Sequence, residues 1–146
     1  MVCLAFCPMD KMFKYFLTGD EIVLADAHFP SSSVCRAGPR EIRADGLKMP
    51  ELLKAVCTLL PLDSHVKNPV GLMAVMESDK AKGVPTPSIW AEYKTIVDAA
   101  EGQKTGFEEI ERFAFYERAK KAFAVVHTGE TAIYANVILK KGVANC

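Results

Sequence analysis

The chain lacks the sequence signals of nucleotide, acyl-transfer and zinc-protease chemistry. It contains no Gly-x-x-x-x-Gly-Lys loop, no Gly-x-Gly-x-x-Gly, no Gly-x-Ser-x-Gly and no His-Glu-x-x-His. Phosphate cradling, serine hydrolysis and zinc proteolysis are therefore without their usual anchors. It also lacks an excess of either charge, with 18 Lys and Arg against 18 Asp and Glu. That balance argues against nucleic acid or an anionic membrane as a partner. The one basic cluster, Arg118, Lys120 and Lys121, is mixed with apolar residues and reads as a solvated helix face. No apolar run approaches the roughly 20 residues that span a bilayer. The start, MVCLAFCPMDK, has neither the basic region nor the cleavage site of a signal peptide. Cysteines are few and scattered, at Cys3, Cys7, Cys35, Cys57 and Cys146, and none forms a CxxC pair. A disulfide framework and a structural zinc set both need paired spacings. The simpler expectation is reduced thiols in a cytoplasmic protein, with no metal.

What is present points to one domain. At 146 residues, half of them hydrophobic and a quarter charged, the chain can bury a sizeable core. Residues 22–25 form an apolar, partly β-branched run that predicts a buried strand. Residues 41–46 predict a short strand closed by an Asp-Gly turn. Residues 49–60 predict a helix: Pro50 suits its first turn, and Leu52, Leu53, Val56, Leu59 and Leu60 share a face. Residues 71–77 read as a second buried strand and residues 77–85 as a polar loop. A helix is expected to start at Thr86-Pro87, with Ile89, Trp90, Tyr93, Ile96 and Val97 on its inner face. Residues 113–121 look helical, and residues 122–127 and 131–139 look like strands. Residues 9–17 are a possible short helix and residues 29–39 a loop. Alternating strands and helices predict a single-domain, layered α/β sheet.

Three groups of residues could carry chemistry. Asp26 and His28 follow the first strand two residues apart, on one face if the strand continues. In an open α/β sheet ligands sit at the carboxyl ends of strands, so Asp26 is either a ligand-binding carboxylate or a strand cap. Arg112 and Tyr116 lie four apart on one helical face. An arginine beside a phenol can make it a better acid–base group, although charge alone favours a surface ion-pair network of Glu with Arg and Lys. Tyr134 and Asn136 alternate with apolar neighbours, either as a polar ligand face or as the wet side of an edge strand. Asp63, just after Pro61, has the position of a turn residue bonding its own backbone. His65 and His127 have no partner nearby in sequence and read as structural.

Several of these segments carry a resemblance. GDEIVLADAHFP at 19–30, IRADG at 42–46, PLDS at 61–64, ERFAFYERAKKAFAVV at 111–126 and TGETAIYANVILKKGV at 128–143 resemble the fucose mutarotase family. The ribose pyranase branch of the same superfamily is more distant. The resemblance implies an α/β fold, ring-like homo-oligomers with sites near subunit contacts, and cofactor-free interconversion of the α and β anomers of a free sugar, fucose above all. It places sugar-binding roles on Asp26, Asp63, Arg112, Tyr134 and Asn136, and a catalytic and binding role on Tyr116. His28 falls on a motif position many members share. One departure stands out. The family's general-acid histidine precedes the first strand, and Thr18 takes that place here. Residues 1–18 diverge from the family, and residues 19–146 form the expected mutarotase domain. A threonine hydroxyl does not titrate near neutrality. Loss of one acid–base partner corresponds to about 3–5 kcal/mol of barrier, so a weakened or purely sugar-binding subunit is the alternative expectation.

Overall fold

The computed structural model describes residues 15–143. Cys3, Cys7, Cys146 and most of the helix expected over 9–17 lie outside the described residues. Strand β1, Glu21–Ala25, forms where the apolar run predicts it. A short helix α1, Ser31–Cys35, follows, then β2, Arg40–Ala44. Helix α2, Met49–Leu59, takes Pro50 in its first turn. Pro61 forces Leu60 out to an extended conformation, φ −116° and ψ 103°, and so ends the helix. Next come β3, Val70–Met73, helix α3, Glu77–Ala81, and helix α4, Ile89–Glu101. The chain continues through β4, Phe107–Ile110, helix α5, Arg112–Ala119, β5, Ala124–Thr128, and β6, Val137–Lys140.

Six strands make one sheet in the order β2-β5-β1-β6-β3-β4. β1 and β2 both run parallel to β5, and β3 runs parallel to β4. β6 is antiparallel to β1 on one side and to β3 on the other. All strands but β6 therefore end at the same edge, and β6 begins there.

Both faces of the sheet are buried, which explains why its central strands read as unbroken apolar runs. On one face Ile22, Leu24, Val126, Val137 and Leu139 pack against Leu52, Leu53 and Val56 of α2 and Trp90, Tyr93 and Val97 of α4. On the other, Val23, Ala25, Val125 and Ile138 pack against Val34 of α1 and Phe115 and Ala119 of α5. The product is a layered α/β domain, as expected. Among the described residues no helix is long and apolar enough to cross a membrane.

Local departures have local causes. The expected loop over 29–39 contains α1, because buried Val34 gives one turn an apolar anchor. The polar stretch over 77–85 begins with α3, which has no buried residue and so no periodic signal. Helix α4 starts two residues late, after Pro87, whose carbonyl accepts from the Trp90 N–H. The strand expected over 71–77 stops at Met73. Strand β4 escapes the sequence pattern because it is a half-exposed edge strand carrying Glu108 and Glu109.

Ile138 is fully buried at the centre of the sheet, paired with Val23 and Gly71. Ile138→Ala should lower the unfolding free energy in urea by about 2–5 kcal/mol. A loss under about 1 kcal/mol, below the usual cost of such a cavity, would contradict the two-sided core.

Candidate functional site

The chemistry-bearing residues gather at the edge where the parallel strands end. Asp26 follows β1 directly and is only 3% exposed. Its Oδ1 accepts from the His28 backbone N–H at 3.0 Å, so the chain turns around its own carboxylate. Its backbone N–H donates to Asn136 Oδ1 at 2.8 Å, which ties the exit of β1 to the entrance of β6. Burial pushes the Asp26 carboxyl above its ordinary value, and the backbone N–H groups of His28 and Ala135 offset this only in part. The strand does not extend to His28. That imidazole lies in the turn beyond β1, exposed, so the shared strand face expected for Asp26 and His28 is not formed.

Arg112 and Tyr116 come from α5. The Glu111 carboxylate caps this helix, accepting from the N–H groups of Phe113 at 2.9 Å and Ala114 at 3.0 Å. With the first turn fixed, Arg112 and Tyr116 stack one turn apart. Arg112 Nε donates to the Tyr116 hydroxyl at 3.1 Å, and the guanidinium sits 5.6 Å from that ring's centre. The Tyr116 ring meets Phe29 edge-on at 5.5 Å.

The strand expected over 131–139 exists only from Val137 onward. Tyr134 sits in a turn with a left-handed φ of 55°, a conformation that a non-glycine residue adopts only when held. Two aromatic donors of α4 hold it. Trp90 Nε1 donates to the Tyr134 carbonyl and the Tyr93 hydroxyl to the Ala135 carbonyl, each at 2.8 Å. Burial pushes the Tyr93 phenol far above its ordinary pKa, so it remains a donor. Tyr134 and Asn136 therefore do face one site, but through a pinned loop and not through strand alternation.

These side chains line one cavity of about 280 Å³. Asp26, Arg112, Tyr116, Tyr134 and Asn136 form its polar side. Phe29, Met73 and Ile133 form its apolar side, with His28 at the margin. The volume lies at the small end of ligand pockets. Acceptors and donors beside an apolar wall suit a small polyhydroxylated molecule.

Two residues escaped the sequence reading. Asp79 of α3 also lines the cavity and accepts from the Tyr134 hydroxyl. Glu130, read only as part of a turn, is a buried carboxylate. It accepts from the N–H groups of Thr131 at 2.9 Å, Ala132 at 3.0 Å and Met49 at 3.1 Å. It thereby holds the start of the 131–136 loop and the first turn of α2 together. The Asp79–Tyr134 and Glu130–Met49 bonds each span more than fifty residues of sequence, where no local pattern reports them.

Comparison with known proteins fits this arrangement. Residues 18–144 match the RbsD / FucU transport protein family. The chain belongs to this family. It is 60% identical over 125 residues to the fucose mutarotase of Homo sapiens, covering 86% of this chain and 80% of that one. The crystal structure of the fucose mutarotase in complex with L-fucose from Streptococcus pneumoniae superposes with a TM-score of 0.82 at 41% identity, covering 94% of this chain and 91% of that one. FucU from Bifidobacterium longum gives 0.84 at 37% identity, covering 92% and 94%.

Not every position that the family resemblance singles out lies in the cavity. Asp63 accepts from the His65 backbone N–H at 2.9 Å, the turn geometry its position suggested. It lines a separate cavity of about 210 Å³, beside Lys67 and Glu101. Thr18 lies in the exposed turn before β1. Both belong to the opposite edge of the sheet. There the N–H of Gly19 bonds the Lys141 carbonyl and the N–H of Asp63 bonds the Lys140 carbonyl, at the far end of β6. The five residues of β1 alone put about 17 Å between Thr18 and Asp26. His127 is buried, with Nδ1 2.7 Å from Ser31 Oγ, and acts as a structural anchor.

Burial works to raise the Glu130 pKa, but the N–H groups of Ala132, Met49 and Thr131 and the charge of Lys48 hold it below the ordinary 4.5. A folded value below the unfolded one gives stability that is full above the unfolded pKa and fades as pH falls through the folded one. Glu130→Gln should therefore cost about 1–3 kcal/mol at pH 7, and the difference from the unmodified protein should shrink on acidification. Urea unfolding at pH 7 and pH 3.5 checks it. An equal loss at both pH values would show that the charge is not what stabilises the loop.

Proposed function

We propose that this protein is an L-fucose mutarotase, interconverting the α and β anomers of the free sugar by assisted ring opening and closure. The observation that carries the reading is the Arg112–Tyr116 pair facing Asp26 and Asn136 across one small cavity. It is supported by fucose mutarotases 57–60% identical to the chain.

The chemistry follows from the groups present. The anomeric hydroxyl gives up its proton, the bond from C1 to the ring oxygen breaks, and the ring oxygen takes a proton. The aldehyde turns about the C1–C2 bond, and the steps reverse on its other face. Nothing is oxidised or reduced, and no cofactor is required by the balance. Tyr116 is the acid–base group, because its hydroxyl lines the cavity and the Arg112 guanidinium, donating to its oxygen at 3.1 Å, holds it in place. Asp26, Arg112, Tyr134 and Asn136 hold sugar hydroxyls, and Phe29, Met73 and Ile133 cover the apolar side of the ring.

The position that the resemblance gives to a second proton carrier, Thr18 in this chain, reaches a cavity only through assembly. Thr18 and Asp63 stand at the edge of the sheet remote from their own cavity, so they serve a site only if a neighbouring copy brings them to it. Phe113 and Ile133 beside the cavity residues, and Tyr15, Leu17 and Val143 toward the opposite edge, are exposed large apolar side chains. Different apolar residues at opposite edges suit a head-to-tail contact, which makes a ring when the rotation closes. We take the protein as a homo-oligomer whose mutarotase domain covers residues 19–146, with residues 1–18 divergent. A cytoplasmic setting fits the free thiols of Cys35 and Cys57, the latter pushed up to about 12 by burial and so unreactive.

Saturation-transfer NMR on L-fucose tests the reading. The protein should exchange the anomers faster than buffer, and Tyr116→Phe should lower the enzymatic rate by about 10²–10⁴. Thr18→His should raise it about tenfold or more, since an imidazole supplies the acid that the hydroxyl cannot. Exchange no faster than buffer, before and after Thr18→His, would leave a sugar-binding protein at most.

A further inference from the structure

Asp79 is the one carboxylate of the cavity that neither sequence nor family resemblance pointed to. It belongs to α3, the five-residue helix that forms the outer wall of the site between β3 and α4. Its Oδ2 accepts the Tyr134 hydroxyl proton at 2.5 Å. The same phenol oxygen accepts the Met76 backbone N–H at 3.3 Å, from the residue that precedes α3. Met76 also receives Arg112 Nη1 on its sulfur at 3.4 Å. Helix α3 is thus attached to the site by its contacts with Tyr134 and Arg112, and none of its own residues is buried in the core.

The hydrogen-bond inventory of Tyr134 then decides what it can do. A phenol has one proton and two lone pairs. The proton is committed to Asp79 and one lone pair to Met76. The remaining lone pair can only accept. Tyr134 therefore presents an acceptor to the cavity, although an isolated tyrosine could donate or accept. Asp79 keeps its other oxygen for a further donor, since Oδ1 meets only the exposed Lys82 ammonium at 3.8 Å.

We propose that Asp79 is a positioning residue of this site, fixing the Tyr134 phenol as an acceptor for a sugar hydroxyl and holding α3 down as the outer wall. The inference rests on the mutarotase reading and adds a specificity element to it. A sugar hydroxyl at this point must donate, so a substrate bearing only an acceptor there, such as a methyl ether or a fluorine, is rejected.

A double-mutant cycle in the anomer-exchange assay tests it. Asp79→Ala should raise KM for L-fucose about 10–100-fold, the scale of a hydrogen bond to a charged group, and change kcat by less than about threefold. Tyr134→Phe should have a similar effect. The double variant should be no worse than the poorer single one, because both remove the same contact. Asp79→Asn keeps an oxygen that accepts the phenol proton, so its rise in KM should be about tenfold smaller than that of Asp79→Ala. That rescue separates positioning from a general loss of structure, as does a thermal midpoint within a few degrees of the unmodified protein. Additive effects, an unchanged KM in Asp79→Ala, or Asp79→Asn as impaired as Asp79→Ala would overturn the assignment while leaving the mutarotase reading intact. No exchange by the unmodified protein would remove both.

Discussion

Residues 130–136 have no strand partner, so side-chain bonds must hold their backbone. The Glu130 carboxylate takes the N–H groups of Thr131 and Ala132. The Glu130 carbonyl takes the Ala27 N–H. Trp90 and Tyr93 of α4 take the carbonyls of Tyr134 and Ala135, and Asn136 takes the Asp26 N–H. Each backbone group that this half-exposed loop buries would cost about 1–3 kcal/mol if left unmet. This set of bonds lets a left-handed tyrosine and a buried aspartate persist at the mouth of an otherwise regular sheet.

The rest of the site depends on that loop. It delivers Tyr134 and Asn136 to the edge where β1 delivers Asp26 and β4 delivers Arg112. The reversed direction of β6 is what permits this: its start, not its end, lies among the carboxyl ends of the parallel strands. The far end of β6 meanwhile anchors the turns carrying Thr18 and Asp63. One strand therefore links the two edges on which the proposed assembly relies.

The fold was legible where both faces of an element are buried or one face is strictly periodic. β1 and β5 declare themselves as apolar runs, and α2 and α4 by the spacing of Leu52, Leu53 and Val56 and of Trp90, Tyr93 and Val97. β4 was not legible because an edge strand with Glu108 and Glu109 looks like a loop. Helix α3 was not, because a five-residue polar helix buries nothing. The alternation of Ile133, Tyr134, Ala135 and Asn136 misled for a different reason. Donors on α4, some forty residues away, override the local preference for strand. In the site, Asp26, Arg112 and Tyr116 were visible because their relation is local: a strand exit and one helical turn. The bonds of Asp79 to Tyr134 and of Glu130 to Met49 act across the fold and cannot be read from spacing.

The proposed function places the sugar at the carboxyl edge of the sheet, in a pocket completed by a second copy. A crystal structure of the protein with L-fucose tests it most directly. The sugar should lie against Asp26, Arg112, Tyr116, Tyr134 and Asn136 of one subunit, with the turn carrying Thr18 of a neighbour closing the cavity. Sugar bound elsewhere, or bound in this cavity with Thr18 of every copy remote from it, would contradict the account.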